Sequence, residues 1–206
     1  MFTGIIENIG EIVEIAPKEQ RISAKIKCNF SHIKLGESIA IDGACLTVTK
    51  KSFLFFRKQN YFWVDVSKET LDKTNLSGWQ RGKIVNLEKS LRLNGKIDGH
   101  LVLGHVDGLG KVVSIKQIDD NYNIEVKIPK DFLNLIVYKG SITFNGVSLT
   151  INQLKDDFIS LNIIPYTWSH TSLRELKVDE NANLEFDIIG KFVARNLIQN
   201  TAQKNL

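Results

Sequence analysis

Four side chains set the chemistry this sequence could do. Cys45 and Ser148 each sit in an apolar run, and Thr47 and Thr150 follow them two residues later. A hydroxyl or thiol attacks an electrophile once a neighbour takes its proton, or passes a proton on. His105 and Asp187 are the groups available to assist. Each of these residues also has a plainer reading. A strand threonine bonds its neighbour, a cysteine packs as a small apolar group, His105 sits satisfied in a core, and Asp187 turns or caps the chain. Other constellations are missing. The sequence has no Gly-x-Gly-x-x-Gly, phosphate loop, Gly-x-Ser-x-Gly or Cys-x-x-Cys. His100 and His105 lack the His-Glu-x-x-His spacing and nearby thiols, which argues against a metal site.

Repetition raises the chemical reading above the plain one. Residues 36–49 return at 139–152, with Gly43 against Gly146, and Cys45 and Ser148 then fall in the same slot. Gly4 to Ile15 matches Gly104 to Ile115, Thr70, Thr74 and Leu76 match Thr167, Thr171 and Leu173, and Asn86-Leu87-Glu88 matches Asn183-Leu184-Glu185. Four blocks in order imply two homologous modules, spanning 1–97 and 98–190, with two related pockets.

The elements that must position these groups are short strands. Alternation predicts them at Gly10–Ile15, Ile22–Lys27, Ile39–Ile41, Leu46–Thr49, Phe62–Val66 and Lys83–Leu87, with a turn at Asp42-Gly43. Turns so closely spaced suit a small antiparallel barrel in each module. Short helices are expected from Ser67 and from Pro129, and the run Lys50–Lys58 reads as a hairpin with a solvated basic rim and a buried Phe stretch. Residues 191–206 read as an amphipathic helix with no core of their own to join, hence a contact between subunits.

Composition agrees. The chain has 206 residues, 43% hydrophobic and 24% charged, with a net charge of +4, which excludes disorder and suits a soluble globular protein. Its cations are interleaved with Asp and Glu, so no basic, aromatic-studded face for nucleic acid is expected. No run approaches the ~18 apolar residues that cross a bilayer. The start lacks a basic head and a long apolar segment, and Cys28 and Cys45 are too few for a disulfide framework, so a cytoplasmic protein with reduced thiols is expected.

At this point the motifs converge on one family. Met1-Phe2-Thr3-Gly4-Ile5-Ile6-Glu7, Asp42-Gly43-Ala44-Cys45-Leu46-Thr47-Val48-Thr49, Lys68-Glu69-Thr70-Leu71 and Gly99-His100-Leu101-Val102-Leu103-Gly104-His105 resemble riboflavin synthase alpha chains. So do Tyr138-Lys139-Gly140-Ser141-Ile142, Asn145-Gly146-Val147-Ser148-Leu149-Thr150 and Asp187-Ile188-Ile189-Gly190-Lys191. The resemblance covers essentially the entire chain. It implies a mainly β protein of two six-stranded Greek-key barrels with short helices and a C-terminal helix.

The implied reaction transfers a four-carbon unit between two molecules of 6,7-dimethyl-8-ribityllumazine, giving riboflavin and 5-amino-6-(D-ribitylamino)uracil without metal or redox cofactor. A homotrimer built through the C-terminal helix is implied, with the productive site between modules of different subunits and lumazine synthase as an associated protein. Carried over, the first pocket uses Gly4, Ile5, Ile6, Cys45, Leu46, Thr47, Asp65, Val66, Ser67, Lys68, Glu69 and Thr70, joined by Gly104, His105 and Val106. The second uses Lys139, Val147, Ser148, Leu149, Thr150, Asn162, Ile163, Ile164, Pro165, Tyr166 and Thr167. His105 is expected as proton shuttle, Cys45 and Ser148 at the reacting rings, and Thr150 and Asp187 complete the second half. Two departures stand out. Tyr166 replaces the glutamate of the usual Ile-Pro-Glu-Thr, and Ala44 replaces a second cysteine. The alternative within this resemblance is a non-catalytic, fluorescent lumazine-binding protein.

Overall fold

The computed structural model of the chain describes residues 1–54 and 59–204, and of residues 53, 54 and 198–204 it describes the backbone alone. Six strands, β1 (Asn8–Lys18), β2 (Arg21–Cys28), β3 (Ser38–Ile41), β4 (Ala44–Leu54), β5 (Gln59–Ser67) and β6 (Ile84–Lys89), form the first barrel. Its closed order is β1-β2-β5-β4-β3-β6. The second barrel repeats it with β7 (Gly108–Ile118), β8 (Asn121–Lys127), β9 (Ser141–Phe144), β10 (Val147–Lys155), β11 (Phe158–Ile163) and β12 (Asn181–Phe186). Each barrel fills with its own apolar cluster, around Ile26, Leu87 and Phe62 in one and Ile124, Phe144 and Leu184 in the other. Closure leaves no sheet edge, and four bulges bend the strands to allow it. They fall at matching places, between Ile12 and Glu14 and between Val48 and Lys50, then between Val112 and Ser114 and between Ile151 and Gln153.

Short helices follow the fifth strand of each barrel: α1 (Lys68–Lys73) and α2 (Pro165–His170). Ser67 caps α1 by accepting from Thr70 N at 3.2 Å, and Pro165 opens α2, where its missing N–H costs nothing. The segment after Pro129 is a 3-10 helix, Lys130–Leu135. The terminal helix α3 (Ile188–Lys204) begins three residues ahead of the expected Lys191 because Asp187 Oδ1 accepts from Ile189 N at 2.9 Å and caps it.

Strands β4 and β5 pair as the expected hairpin, out to Leu54 opposite Gln59, while the Phe run expected inside it falls outside the described side chains. Pairing also makes a cluster the sequence analysis did not foresee. Lys25 lies over Tyr61 and Trp63 at 4.8 and 4.9 Å, and Lys50 over Trp63 at 4.8 Å. A basic and aromatic face therefore does form, because registry brings together residues far apart in sequence. Its lysines occupy the ring faces on which a base would stack.

The two barrels meet about a pseudo-twofold axis, at the turns Asp42-Gly43 and Asn145-Gly146. All four residues have positive φ, at 44° and 85° in the first turn and 46° and 80° in the second, as a type I′ hairpin turn requires. Two asparagines staple the turns reciprocally: Asn86 Nδ2 donates to Asn145 O and Asn183 Nδ2 to Asp42 O, both at 2.8 Å. Asp42 Oδ1 accepts from Asn86 N, as Asn145 Oδ1 does from Asn183 N.

Burial pushes the Asp42 carboxyl up to about 7 against hydrogen bonds from Asn86 and Ser172 and the charge of Lys83. An acid whose pKa is raised on folding binds protons better when folded, so its stabilising contribution is full at low pH and fades as pH rises through about 4 to about 7. Wild-type stability is expected to fall across that window with a slope from this group of up to about 1.4 kcal/mol per pH unit. Asp42→Asn, which makes the first turn like the second, is expected to remove that share. Urea midpoints of both proteins at about pH 5 and about pH 7.5 measure it, and parallel slopes would refute it.

Candidate active site

The opening segment of each module crosses to the other barrel. Phe2 N donates to Val102 O at 2.7 Å and Val102 N to Phe2 O at 3.1 Å, and both side chains are buried. Beyond this bridge, Ser148 N donates to Gly4 O and Cys45 N to Gly104 O, both at 2.8 Å. Two carboxylates hold the crossing strands: Glu88 accepts from Thr3 N and Gly4 N at 2.6 and 2.9 Å, and Glu185 from Leu103 N and Gly104 N at 2.6 and 2.9 Å. Burial raises both carboxyls, that of Glu185 to about 6.

The crossing makes two related pockets. The larger, about 520 Å³, is lined by Gly4, Ile5 and Ile6 from one side and Val147, Ser148, Tyr166, Thr167 and His170 from the other. Its expected grouping is therefore corrected: Gly4, Ile5 and Ile6 face the second barrel rather than the first, because their backbone pairs with Ser148 rather than Cys45. The smaller pocket, about 300 Å³, joins Cys45, Glu69, Thr70 and Lys73 to Gly104, His105 and Val106. Tyr166 stacks on His170 with centroids 4.1 Å apart, so an aromatic pair lines this side of the larger pocket.

Several expected residues line neither pocket. Leu46, Val66 and Ile163 are core, and Leu149 packs against the second core. Thr47, Thr150 and Asn162 are exposed strand residues, while Ser67, Pro165 and Asp187 serve helix starts and Ile164 precedes α2. Lys68 is an exposed residue opening α1. Asp65 is ion-paired with Lys18 and Arg21, and Lys139 bonds Asn152 Oδ1 at 2.8 Å.

The pair that could do chemistry is one the sequence analysis did not assemble. His100 Nδ1 lies 2.7 Å from Ser148 Oγ, and its Nε2 lies 3.2 Å from Thr143 Oγ1. With Nε2–H directed at Thr143, Nδ1 is left to accept the Ser148 proton. Burial holds the imidazole below the usual histidine range, against the nearby charge of Asp187, which favours the neutral ring whose free nitrogen can accept a proton. Ser148 lines the larger pocket and His100 stands behind it. His105 lies on the wall of the smaller pocket. Among the described residues no three His, Cys, Asp or Glu side chains gather as metal ligands.

Two duplicated barrels, each with a pocket completed by the other's leading segment, define a double-barrel protein with two related pockets of small-molecule size. The family model of the lumazine binding domain matches residues 3–90 and again 103–187. The chain belongs to that family. It is 40% identical to the riboflavin synthase of Bacillus subtilis over 96% of this chain and 90% of that protein. Against the riboflavin synthase of Actinobacillus pleuropneumoniae it is 36% identical over 99% of this chain and 93% of the other. Among solved structures it resembles LumP complexed with 6,7-dimethyl-8-(1'-D-ribityl) lumazine, with a TM-score of 0.77 and 26% identity over 90% of this chain and 99% of LumP.

Proposed function

We infer that the chain is a riboflavin synthase, which moves a four-carbon unit from one 6,7-dimethyl-8-ribityllumazine to another and releases riboflavin and 5-amino-6-(D-ribitylamino)uracil. The observation that carries this reading is Ser148 on the wall of one of two related pockets, with His100 hydrogen-bonded behind it. The reaction needs a proton taken from the C7 methyl of one lumazine and a nucleophile added to the other ring. A hydroxyl backed by a neutral imidazole serves either step. Two pockets that hold the substrates in contact replace a bimolecular encounter by an intramolecular one, worth up to about 7–11 kcal/mol.

The productive pairing joins the first module of one subunit to the second of another, in a homotrimer that works in the cytoplasm with lumazine synthase as an associated protein. The apolar side chains Ile189, Phe192, Val193 and Leu197 support that assembly, since each is more than half exposed on α3. Cys45 and His105 act at the smaller pocket.

The test is incubation with the lumazine alone. Riboflavin and the uracil appearing one to one, and lost in Ser148→Ala, establish the synthase. A second reading, a lumazine binder without turnover, is favoured by the likeness to LumP. Tight binding with no riboflavin would select it.

A further inference from the structure

We propose that Lys191 is a positioning residue: its ammonium, held by Asp107, ties the first turn of α3 to the carboxylate that grips the Leu103–Gly104 backbone. The proposal rests on the synthase reading for its kinetic arm only. Lys191 Nζ lies 2.6 Å from Asp107 Oδ2, both side chains being about one-fifth exposed. The same Asp107 oxygen accepts from Phe186 N at 2.9 Å, which places the pair beside Glu185. Glu185 is 2% exposed, and its two oxygens are the acceptors for Leu103 N and Gly104 N. Gly104 O in turn receives Cys45 N, so the grip of Glu185 sets one wall of the smaller pocket. On the other side, Lys191 N donates to Asp187 O at 3.2 Å, in the turn that caps α3 and brings Asp187 near His100. The ammonium thus bears on the smaller pocket's wall, while the backbone of the same residue closes the turn that holds Asp187 near the larger one.

The duplication supplies an internal comparison. The first module keeps the two carboxylates, Glu88 at the crossing strand and Glu7, whose Oε1 accepts from Lys89 N at 2.8 Å as Asp107 accepts from Phe186 N. At the position matching Lys191 it has Asn94. The cation is therefore an addition of the second module, and it arrives with α3. An ion pair needed only to close a barrel would be expected in both copies.

The charges that face Glu185 are Lys191 from α3, which favours its ionised form, and Asp107 from the segment before β7, which opposes it. Thr143, opposite it on β9, and the Leu103 and Gly104 amides are neutral partners. Because Gly104 N–H donates to Glu185, its amide NMR shift reports the titration of that carboxyl. Lys191→Met is expected to move the midpoint up from about 6 and Asp107→Asn to move it down. Midpoints that move the same way or not at all would mean that neither charge bears on Glu185, and that result overturns the proposal whatever the oligomeric state. In turnover, Lys191→Met is expected to lower kcat by up to about 100-fold with little change in KM, and Lys191→Arg to restore most of it. A Lys191→Met enzyme with wild-type kcat overturns the proposal. Absence of riboflavin from the wild-type chain instead fails the synthase reading, and the amide titration then still decides the role of Lys191.

Discussion

Replacing His100 by Ala is expected to lower kcat for riboflavin formation by about two to four orders of magnitude, with KM for the lumazine little changed. His100 is 8% exposed and lies behind Ser148, so it contributes little to substrate contact. What it contributes is the acceptor for the Ser148 proton, 2.7 Å away. Ser148→Ala is expected to cost about as much, and the double variant scarcely more than either single one, because groups acting as a unit do not lose activity additively. His100→Gln is the informative control. Its amide can hold the serine hydroxyl and fill the site but cannot take up a proton, so it should fold like wild type and remain inactive. Initial rates and thermal melts for the four proteins decide the matter. A His100→Ala enzyme within about threefold of wild type would reduce the pair to a structural hydrogen bond.

Duplication made much of this legible, and non-local pairing hid the rest. Matching Cys45 to Ser148 marks two pockets because a repeat keeps equivalent positions in equivalent places. The strand pattern and the turn at Asp42-Gly43 were equally open, since alternation and positive-φ residues are local signals. The crossing of Gly4–Ile6 to the second barrel was not, because it depends on the Phe2–Val102 bridge between residues a hundred positions apart. His100 was visible as a histidine in an apolar run but was tested only as a metal ligand. It lies ahead of the block where the copies begin to match, so the repeat gave it no partner to stand out against. Asn86 and Asn183 were seen as a repeated block, and a buried polar residue recurring at one place in two cores was signal enough to predict a shared hydrogen bond. The start of α3 lies three residues ahead of the expectation because Asp187 takes its plainer role, a cap, rather than the site role the resemblance implies.

The largest expected loss of stability comes from Gly146→Ala, at the contact between the two turns. Gly146 has φ +80°, and a Cβ there would lie 2.7 Å from Gly43 N and 3.2 Å from Gly43 Cα. Left-handed strain alone costs about 1–3 kcal/mol. The clash adds to it, because the atoms met are backbone held by the Asn86 and Asn183 staples and cannot swing away. Gly36→Ala separates the two contributions: Gly36 has φ +78° with nothing within 4 Å of the added carbon, so it suffers the strain without the clash. At about 2–4 °C per kcal/mol for a chain of this size, Gly146→Ala is expected to lower Tm by roughly 10 °C and Gly36→Ala by a few degrees. Equal losses would mean that the turns can part freely. Gly43→Ala should resemble Gly146→Ala, since its Cβ would lie 2.9 Å from Gly146 N. The double variant then tests whether one contact is at stake. Once one alanine has pushed the turns apart the second meets less resistance, so the combined loss should fall short of the sum of the single losses, as residues in contact require. Because Val147 and Ser148 follow the turn directly, the same displacement moves the larger pocket's wall, and activity should fall in Gly146→Ala at temperatures where the protein is still folded.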